Sequence, residues 1–264
     1  MLRDITLGQY YPVDSVIHRL DPRTKLAGTF VFLVSLFVTK GFIGYALATC
    51  FLAAMIIMSR VPVRFITKGL KAIVVLLVIS VSFNIFLTEG TPIFTLGPLK
   101  ATWEGLRIAG VMGMRLIYLV VGSSILTLTT TPNQLTDGLE KSMGFLRKIN
   151  VPVHEIAMMM SIALRFIPIL VEETDKIMKA QTARGADFET GGLVKKAKAM
   201  VPLLVPLFIS AFRRASDLAM AMEARCYHGG TGRTKLKPLK YGRRDYIAYV
   251  ILLLYLSAMI VIKK

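Results

Sequence analysis

The 264-residue sequence is 54% hydrophobic and 19% charged, and its 33 Lys and Arg against 16 Asp and Glu give a formal net charge of +17. With a mean hydropathy of +0.60, it is too apolar for a soluble domain of this size, and we predict an integral membrane protein in contact with the lipid bilayer. The basic residues lie between apolar runs without clustered aromatic side chains, which argues against nucleic-acid binding and instead indicates membrane topology and an anionic lipid surface.

The first apolar run covers residues 26–58, and Lys40 is its only charged residue. As one helix this run would be about 50 Å long, whereas the hydrocarbon core of a bilayer is about 30 Å thick. The run must therefore fold back on itself, and Lys40-Gly41 is the natural turn. The predicted spans are 26–39 and 41–58.

Three more apolar runs complete a prediction of five membrane spans. They cover 69–87, 108–130 and 245–262. Lys and Arg number four before the first span and four in the 59–71 connection, whereas the 88–104 connection holds only Lys100. By the positive-inside rule, the N-terminus, the 59–71 connection and the segment after residue 130 are predicted to be cytoplasmic.

The segment between the fourth and fifth spans differs from the rest of the chain. Residues 131–243 contain 18 Lys and Arg and 10 Asp and Glu, and they read neither as clean membrane spans nor as a soluble domain. Their apolar periodicity predicts three amphipathic helices. These helices start at Pro132, at Pro152 and near Leu193, and the last two end near Gly185 and Tyr227.

These elements predict an all-α integral membrane protein in three parts. Residues 1–130 form an N-terminal cytoplasmic segment and the first four spans. Residues 131–243 form a cytoplasmic layer of long amphipathic helices. The apolar centre of the last of these, Ala199 to Phe212, is too short to span a bilayer. Residues 244–264 form the last span.

The second and third of the predicted amphipathic helices end alike. One ends Ala180-Gln-Thr-Ala183-Arg184 and the other Ala221-Met-Glu-Ala224-Arg225, 41 residues later. Alanines three residues apart leave a bare helix face, and an arginine at its end offers five N–H donors in a planar fork. One such end is typical of a solvated helix terminus, whereas two favour a partner that presents the same groove twice, as a dimer does. The predicted protein-binding residues are Ala183, Arg184, Gly185, Ala224, Arg225 and Cys226.

Short motifs occur in order along nearly the whole chain. Before the first span they are Gly8, Tyr10, Ser15, His18, Leu20, Asp21-Pro22-Arg23, Lys25 and Leu26. After the fourth span they are Thr130-Thr131-Pro132, Asp137-Gly138-Leu139-Glu140, Leu164-Arg165-Phe166-Ile167-Pro168 and Ala180-Gln181-Thr182-Ala183-Arg184-Gly185. In their content and order these motifs resemble the transmembrane scaffold, or T component, of energy-coupling factor (ECF) importers of vitamins and metals.

The resemblance implies a membrane domain with coupling helices in residues 131–243. It implies that the two Ala-Arg-Gly-type motifs dock on two ATPase subunits, and that a small substrate-binding membrane protein, the S component, sits against the same helices. The chain is then a non-catalytic subunit that couples ATP hydrolysis to substrate release. The sequence departs from the family at Cys226, which replaces the glycine of the second motif and bears on the helix cap more than on docking.

The sequence contains no pattern expected of an enzyme or a cofactor site. His18, His154 and His228 are far apart and lack Cys, Asp or Glu at ligand spacing, so we expect no metal and no other cofactor. The phosphate-binding loop Gly-x-x-x-x-Gly-Lys-Ser/Thr and the familiar hydrolase motifs are absent, so we expect neither direct ATP binding nor catalysis.

An autonomous membrane permease or channel is the alternative function. Such a protein should show paired charges or broken helices at the membrane midplane and inverted repeats. The repeat in this sequence is the Ala-Arg motif at the ends of two helices, which lies outside the predicted spans. Arg115 in the fourth apolar run is either functional or packed against neighbouring helices. The pattern favours the scaffold.

Overall fold

The computed structural model describes residues 9–39, 41–96, 99–186, 188, 192–230 and 238–263. Within them the chain forms eight α-helices, one 3₁₀ helix (Met143–Ile149) and one two-stranded hairpin. The α-helices are α1 (Pro22–Val38), α2 (Phe42–Ser59), α3 (Val63–Leu87), α4 (Trp103–Thr129), α5 (Pro132–Ser142), α6 (Val153–Ala183), α7 (Leu193–Ala224) and α8 (Arg243–Lys263). The predicted all-α membrane fold is confirmed. Gly8 of the N-terminal motif and Lys40 of the predicted turn lie outside the described residues.

The predicted spans correspond to α1, α2, α3, α4 and α8, with shifted boundaries. Of these, α2, α4 and α8 are long and apolar enough to cross a membrane. Helix α1 has 17 residues, about 25 Å, so it needs flanking residues or local bilayer thinning to span. Helix α3 begins at Val63 instead of the predicted residue 69 and is bent by 59° between residues 71 and 73. By length and composition alone, α6 and the part of α7 from Lys198 to Ala224 are also long and apolar enough to cross a membrane. The location of these two helices outside the membrane therefore stays a prediction.

A short hairpin joins α3 to α4, where the sequence predicted only a connection. Strands β1 (Pro92–Leu96) and β2 (Leu99–Thr102) pair antiparallel. The Thr102 hydroxyl donates to the Thr88 carbonyl (2.8 Å) and accepts from the Gly105 N–H (3.1 Å), which caps α4. Gly105 lets α4 start against the end of α3, since a Cβ there would lie 2.7 Å from the Asn84 carbonyl oxygen.

The chain divides into two compact units. The first, called here the bundle unit, lies within Gly8–Lys141 and Leu239–Lys264. Its core takes side chains from α1, α2, α3, α4 and α8 and from the connection between α2 and α3. These residues are Phe32, Leu36, Ala48, Leu52, Val61, Ile66, Val121, Ile125, Leu128, Tyr255 and Met259. Gly122 lets α4 approach α1 closely, since a Cβ there would lie 2.8 Å from the Phe32 ring, and small residues commonly permit such contacts in membranes.

Helix α5 belongs to the bundle unit although it follows the fourth span. A Cβ at Gly138 would lie 2.9 Å from the Pro22 Cβ, so α5 packs directly on the start of α1. The units therefore divide at 141/142 and 238/239, inside the predicted segment 131–243. The division by function at 130 and 243 stays a prediction.

The outer surface of the bundle unit is strongly apolar. Phe30, Phe42, Leu87 and Val261 are each more than two-thirds exposed. Surfaces of this kind are rare on soluble monomers and match the hydrocarbon of a bilayer.

The second unit, called here the helix-pair unit, lies within Ser142–Pro238 and holds α6 and α7. Helix α6 continues through Pro168 to Ala183, as predicted. Gln181 of α6 contacts Pro202, and Glu173 contacts Arg214. Since α6 numbers fall as α7 numbers rise, the two helices run antiparallel.

Candidate functional site

The C-terminal end of α6 is closed by a Schellman motif. The Gly185 N–H donates to the Thr182 carbonyl (2.9 Å) and the Ala186 N–H to the Gln181 carbonyl (3.0 Å). Gly185 has a φ of +87°, the left-handed conformation that glycine adopts without steric cost. Arg184 is the last residue before that turn, so its backbone position is fixed by the cap.

The end of α7 has the same cap. The Cys226 N–H donates to the Glu223 carbonyl (2.9 Å) and the Tyr227 N–H to the Met222 carbonyl (3.1 Å). Cys226 takes the left-handed position with a φ of +54°, so the missing glycine strains the cap without changing its form. Arg225 therefore stands in the same backbone setting as Arg184.

Replacing Cys226→Gly is expected to stabilise the protein by roughly 0.5 to 1 kcal/mol. Glycine removes the backbone strain of a left-handed residue with a side chain, which costs about 1 to 2 kcal/mol. Part of this gain is lost because glycine raises the conformational entropy of the unfolded chain. The thermal unfolding midpoint of the purified protein measures the change. The matched variant Gly185→Ala should lower the midpoint, and a Cys226→Gly protein less stable than the parent would contradict this account.

Both arginines are presented to solvent. Arg184 and Arg225 are exposed, as are Ala183 and Ala224 beside them. Within the described residues neither guanidinium has a hydrogen bond or an ion pair. Each is therefore free to form charge-assisted hydrogen bonds with carboxylates or carbonyls of another protein.

Gln181 ties the end of α6 to α7. Its side-chain amide donates to the Pro202 carbonyl at 3.3 Å. That carbonyl has no helical donor, because the residue four positions later is Pro206, which lacks an N–H. The two prolines of α7 thus create an acceptor for a residue three positions before Arg184.

The two arginines lie toward opposite ends of α7. Gln181 anchors the Arg184 end of α6 near Pro202, and the rise along a straight α7 from Pro202 to Arg225 is about 35 Å. The Arg214–Glu173 ion pair at 3.1 Å joins the same helices further along. The helix-pair unit therefore holds two separate arginines, as contact with two copies of a partner requires.

Helix α7 also carries an exposed apolar stripe. Its members recur with the helical spacing i, i+3, i+4, i+7, i+8 and i+11; they are Val201, Leu204, Val205, Phe208, Ile209 and Phe212, each at least 40% exposed. Lys198 precedes the stripe and Arg213 follows it. An apolar face of this size on a charged helix marks a contact with another protein or with lipid.

A buried polar cluster in the bundle unit was not predicted. The Lys25 ammonium, in a side chain only 6% exposed, donates to the carbonyls of His18 (3.1 Å) and Thr129 (2.8 Å). The buried Asp245 carboxylate accepts from the N–H groups of Asp21 and Gly242, both at 2.8 Å. These contacts join the residues before α1 to the end of α4 and the start of α8. The N-terminal motif residues were visible in the sequence, but not the partners that fold against them.

His18 adds a directional hydrogen-bond chain to this cluster. Nε2 lies 3.0 Å from the Tyr11 carbonyl, so it must donate, and Nδ1 accepts from the Ser15 hydroxyl at 2.7 Å. Burial, and then the nearby charge of Lys25, lower the pKa of His18. The ring is therefore neutral at pH 7 and holds the N-terminal segment with its Nε2 protonated.

The structure also describes the surroundings of Arg115 and of the possible metal ligands. Arg115 donates to the Tyr45 hydroxyl (3.1 Å) and lies 5.4 Å from the Phe37 ring, so it packs against neighbouring helices. Among the residues that the structure describes, no group of three or more His, Cys, Asp or Glu is arranged to hold a metal ion.

Comparisons with known proteins all indicate similarity to transport proteins. The family model described as cobalt transport protein, CbiQ, matches residues 14–236. The chain is also similar to proteins named energy-coupling factor transporter transmembrane protein EcfT. That of Thermosediminibacter oceani is 54% identical over 249 residues, 94% of each chain. That of Clostridium kluyveri is 55% identical over 250 residues, 94% of this chain and 93% of the other, and that of Bacillus subtilis is 47% identical over 262 residues, 98% of each.

Proposed function

The chain belongs to the CbiQ family of transport proteins and is a membrane protein, and we propose that it is the transmembrane scaffold of an ECF importer of a vitamin or another micronutrient. In this role it couples ATP hydrolysis by two ATPase subunits to substrate release by an S component. Its N-terminus and the helix-pair unit lie in the cytoplasm. The chain itself is not an enzyme and binds no ATP.

The observation that carries the proposal is the pair of identical helix caps. Arg184 and Arg225 occupy equivalent positions after α6 and α7, both are exposed, and both follow an exposed alanine. Two equal ATPase subunits offer two equal grooves, and each groove receives one arginine. Because guanidinium is always charged and forks to two acceptors, it binds such a groove independently of pH.

The apolar stripe of α7 supports contact with the S component. The apolar stretch from residue 199 to 212 is about 21 Å long, shorter than the hydrocarbon core of a bilayer. Lys198 and Arg213 bound it at either side. A helix of this kind lies at the membrane surface and offers its apolar face to a membrane protein or to lipid.

The contacts between α6 and α7 supply the coupling. The Gln181 hydrogen bond and the Arg214–Glu173 ion pair join the helices at two places, so movement of one arginine is transmitted to the other helix. As the ATPases approach and separate, the pair follows as connected rigid elements and changes the surface offered to the S component.

Purification of the affinity-tagged chain from native membranes in mild detergent tests the proposal. We expect two ATPase subunits and one small membrane protein for each tagged chain. A tagged chain that purifies alone and, in lipid vesicles, moves a solute without any ATPase would instead support the permease or channel.

A further inference from the structure

The bundle unit contains a cavity of about 330 Å³ between the N-terminal segment and helices α1, α2, α4 and α8. Its volume falls within the range of small-molecule binding sites. Most of its walls are aliphatic or aromatic. Representative wall residues are Ile17, Phe32, Leu52, Ile125, Ile251 and Leu252. We call this space the bundle cavity.

The charged side chains that line the bundle cavity gather at one end. They are Lys25, in the first turn of α1, and Arg244, in the first turn of α8. The hydrogen bond from the Asp21 N–H to Asp245 shows that these two helix starts meet. The cavity is therefore amphipathic, with a cationic end and an apolar body.

The carboxylates near the cationic end already have partners. Asp14, two residues before cavity residue Val16, forms an exposed ion pair with Arg19. That hydrogen-bonded arginine, aided by the charges of Arg244 and Arg60, lowers the pKa of Asp14. Asp21 pairs with Arg23, and Asp245 accepts two backbone N–H groups. The exposed Arg244 has no ion pair within the described residues, so it can bind an anion.

We propose that the bundle cavity binds one acyl chain of an anionic glycerophospholipid, whose phosphate lies against Arg244. The ligand must join an apolar chain to a negative group, because the cavity joins an apolar body to a cationic end. A free phosphate ion leaves the apolar walls uncovered. A helix of a partner protein is about 10 to 12 Å wide with its side chains, too wide for a cavity of this volume.

Lipid binding to the purified full-length chain in detergent tests the proposal. Phosphatidylglycerol and phosphatidylcholine with identical acyl chains are titrated, with native mass spectrometry and the thermal unfolding midpoint as readouts. We expect phosphatidylglycerol to bind more tightly and to raise the midpoint more. Arg244→Gln should weaken its apparent affinity about fivefold, the effect of one basic side chain near an anionic surface. The adjacent exposed Arg243, which does not line the cavity, gives the control Arg243→Gln, which should bind like the parent.

A second pair of variants separates the acyl chain from the headgroup. Ala248 lines the cavity, whereas Ala258, on the same helix, does not. Ala248→Phe should abolish retention of phosphatidylglycerol, and Ala258→Phe should not. Equal binding of the two lipids, full binding by Arg244→Gln, or equal stabilisation by inorganic phosphate would each overturn the proposal. Arg244 is exposed, so that variant remains decisive if Ala248→Phe fails to fold.

Discussion

Arg184→Ala combined with Arg225→Ala is expected to reduce ATP-driven uptake to background while the protein still inserts in the membrane. Each guanidinium placed in a partner groove contributes roughly 1.5 to 3 kcal/mol through charge-assisted hydrogen bonds. Loss of both weakens the contact with the ATPases by more than about 100-fold. Both side chains are exposed and outside the hydrogen bonds of the caps, so the fold should not suffer.

The measurement is substrate uptake and ATP hydrolysis by the reconstituted complex, with membrane insertion checked by yield and unfolding midpoint. Each single variant should retain one docking contact and show an intermediate loss. Lys176→Ala provides the control, because Lys176 is an exposed cation of α6 about two turns before the cap, and it should leave coupled uptake unchanged. Full coupled uptake by the double variant would overturn the docking role of these arginines.

The local features of the candidate site could be predicted because they depend on neighbours in sequence. Periodicity, together with proline and glycine, predicted that α6 passes through Pro168 and ends near Gly185, two residues beyond the observed end at Ala183. Helix α7 starts at the predicted Leu193 but ends at Ala224, three residues before the predicted Tyr227. The cap at Cys226 could not be predicted in the same way, because a left-handed cysteine costs energy that the rest of the Schellman motif must offset.

Features that join distant segments could not be predicted in the same way. The partner of Lys25 is the Thr129 carbonyl, 104 residues away, and that of the Asp21 N–H is Asp245, 224 residues away. Sequence spacing indicates neither pairing. The α3–α4 hairpin was missed for another reason, since two strands of five and four residues are too short to show alternation between apolar runs.

Asp245 is the residue of the bundle unit whose loss should destabilise the fold most. Its carboxylate is 4% exposed and accepts the N–H groups of Asp21 and Gly242, each at 2.8 Å. Asp245→Ala leaves those donors without their acceptor, at about 1 to 3 kcal/mol for each buried group. It also removes a negative charge from the surroundings of the buried Lys25. We expect a loss of roughly 3 kcal/mol, a fall of about 6 to 12 °C in the unfolding midpoint.

Asp245→Asn separates the contribution of the hydrogen bonds from that of side-chain size, because Asn has nearly the same volume as Asp. The amide keeps one acceptor oxygen but turns an N–H₂ group toward the other backbone N–H. Asp245→Asn should therefore lose about half as much stability as Asp245→Ala. The control is Asp217→Ala, which removes an exposed aspartate from α7 and should leave the midpoint within about 2 °C because surface changes are usually within 0.5 kcal/mol. An unfolding midpoint of Asp245→Ala equal to that of the parent would contradict this prediction. It would mean that Lys25 and His18 hold the N-terminal segment and that the Asp245 carboxylate does not stabilise the start of α8.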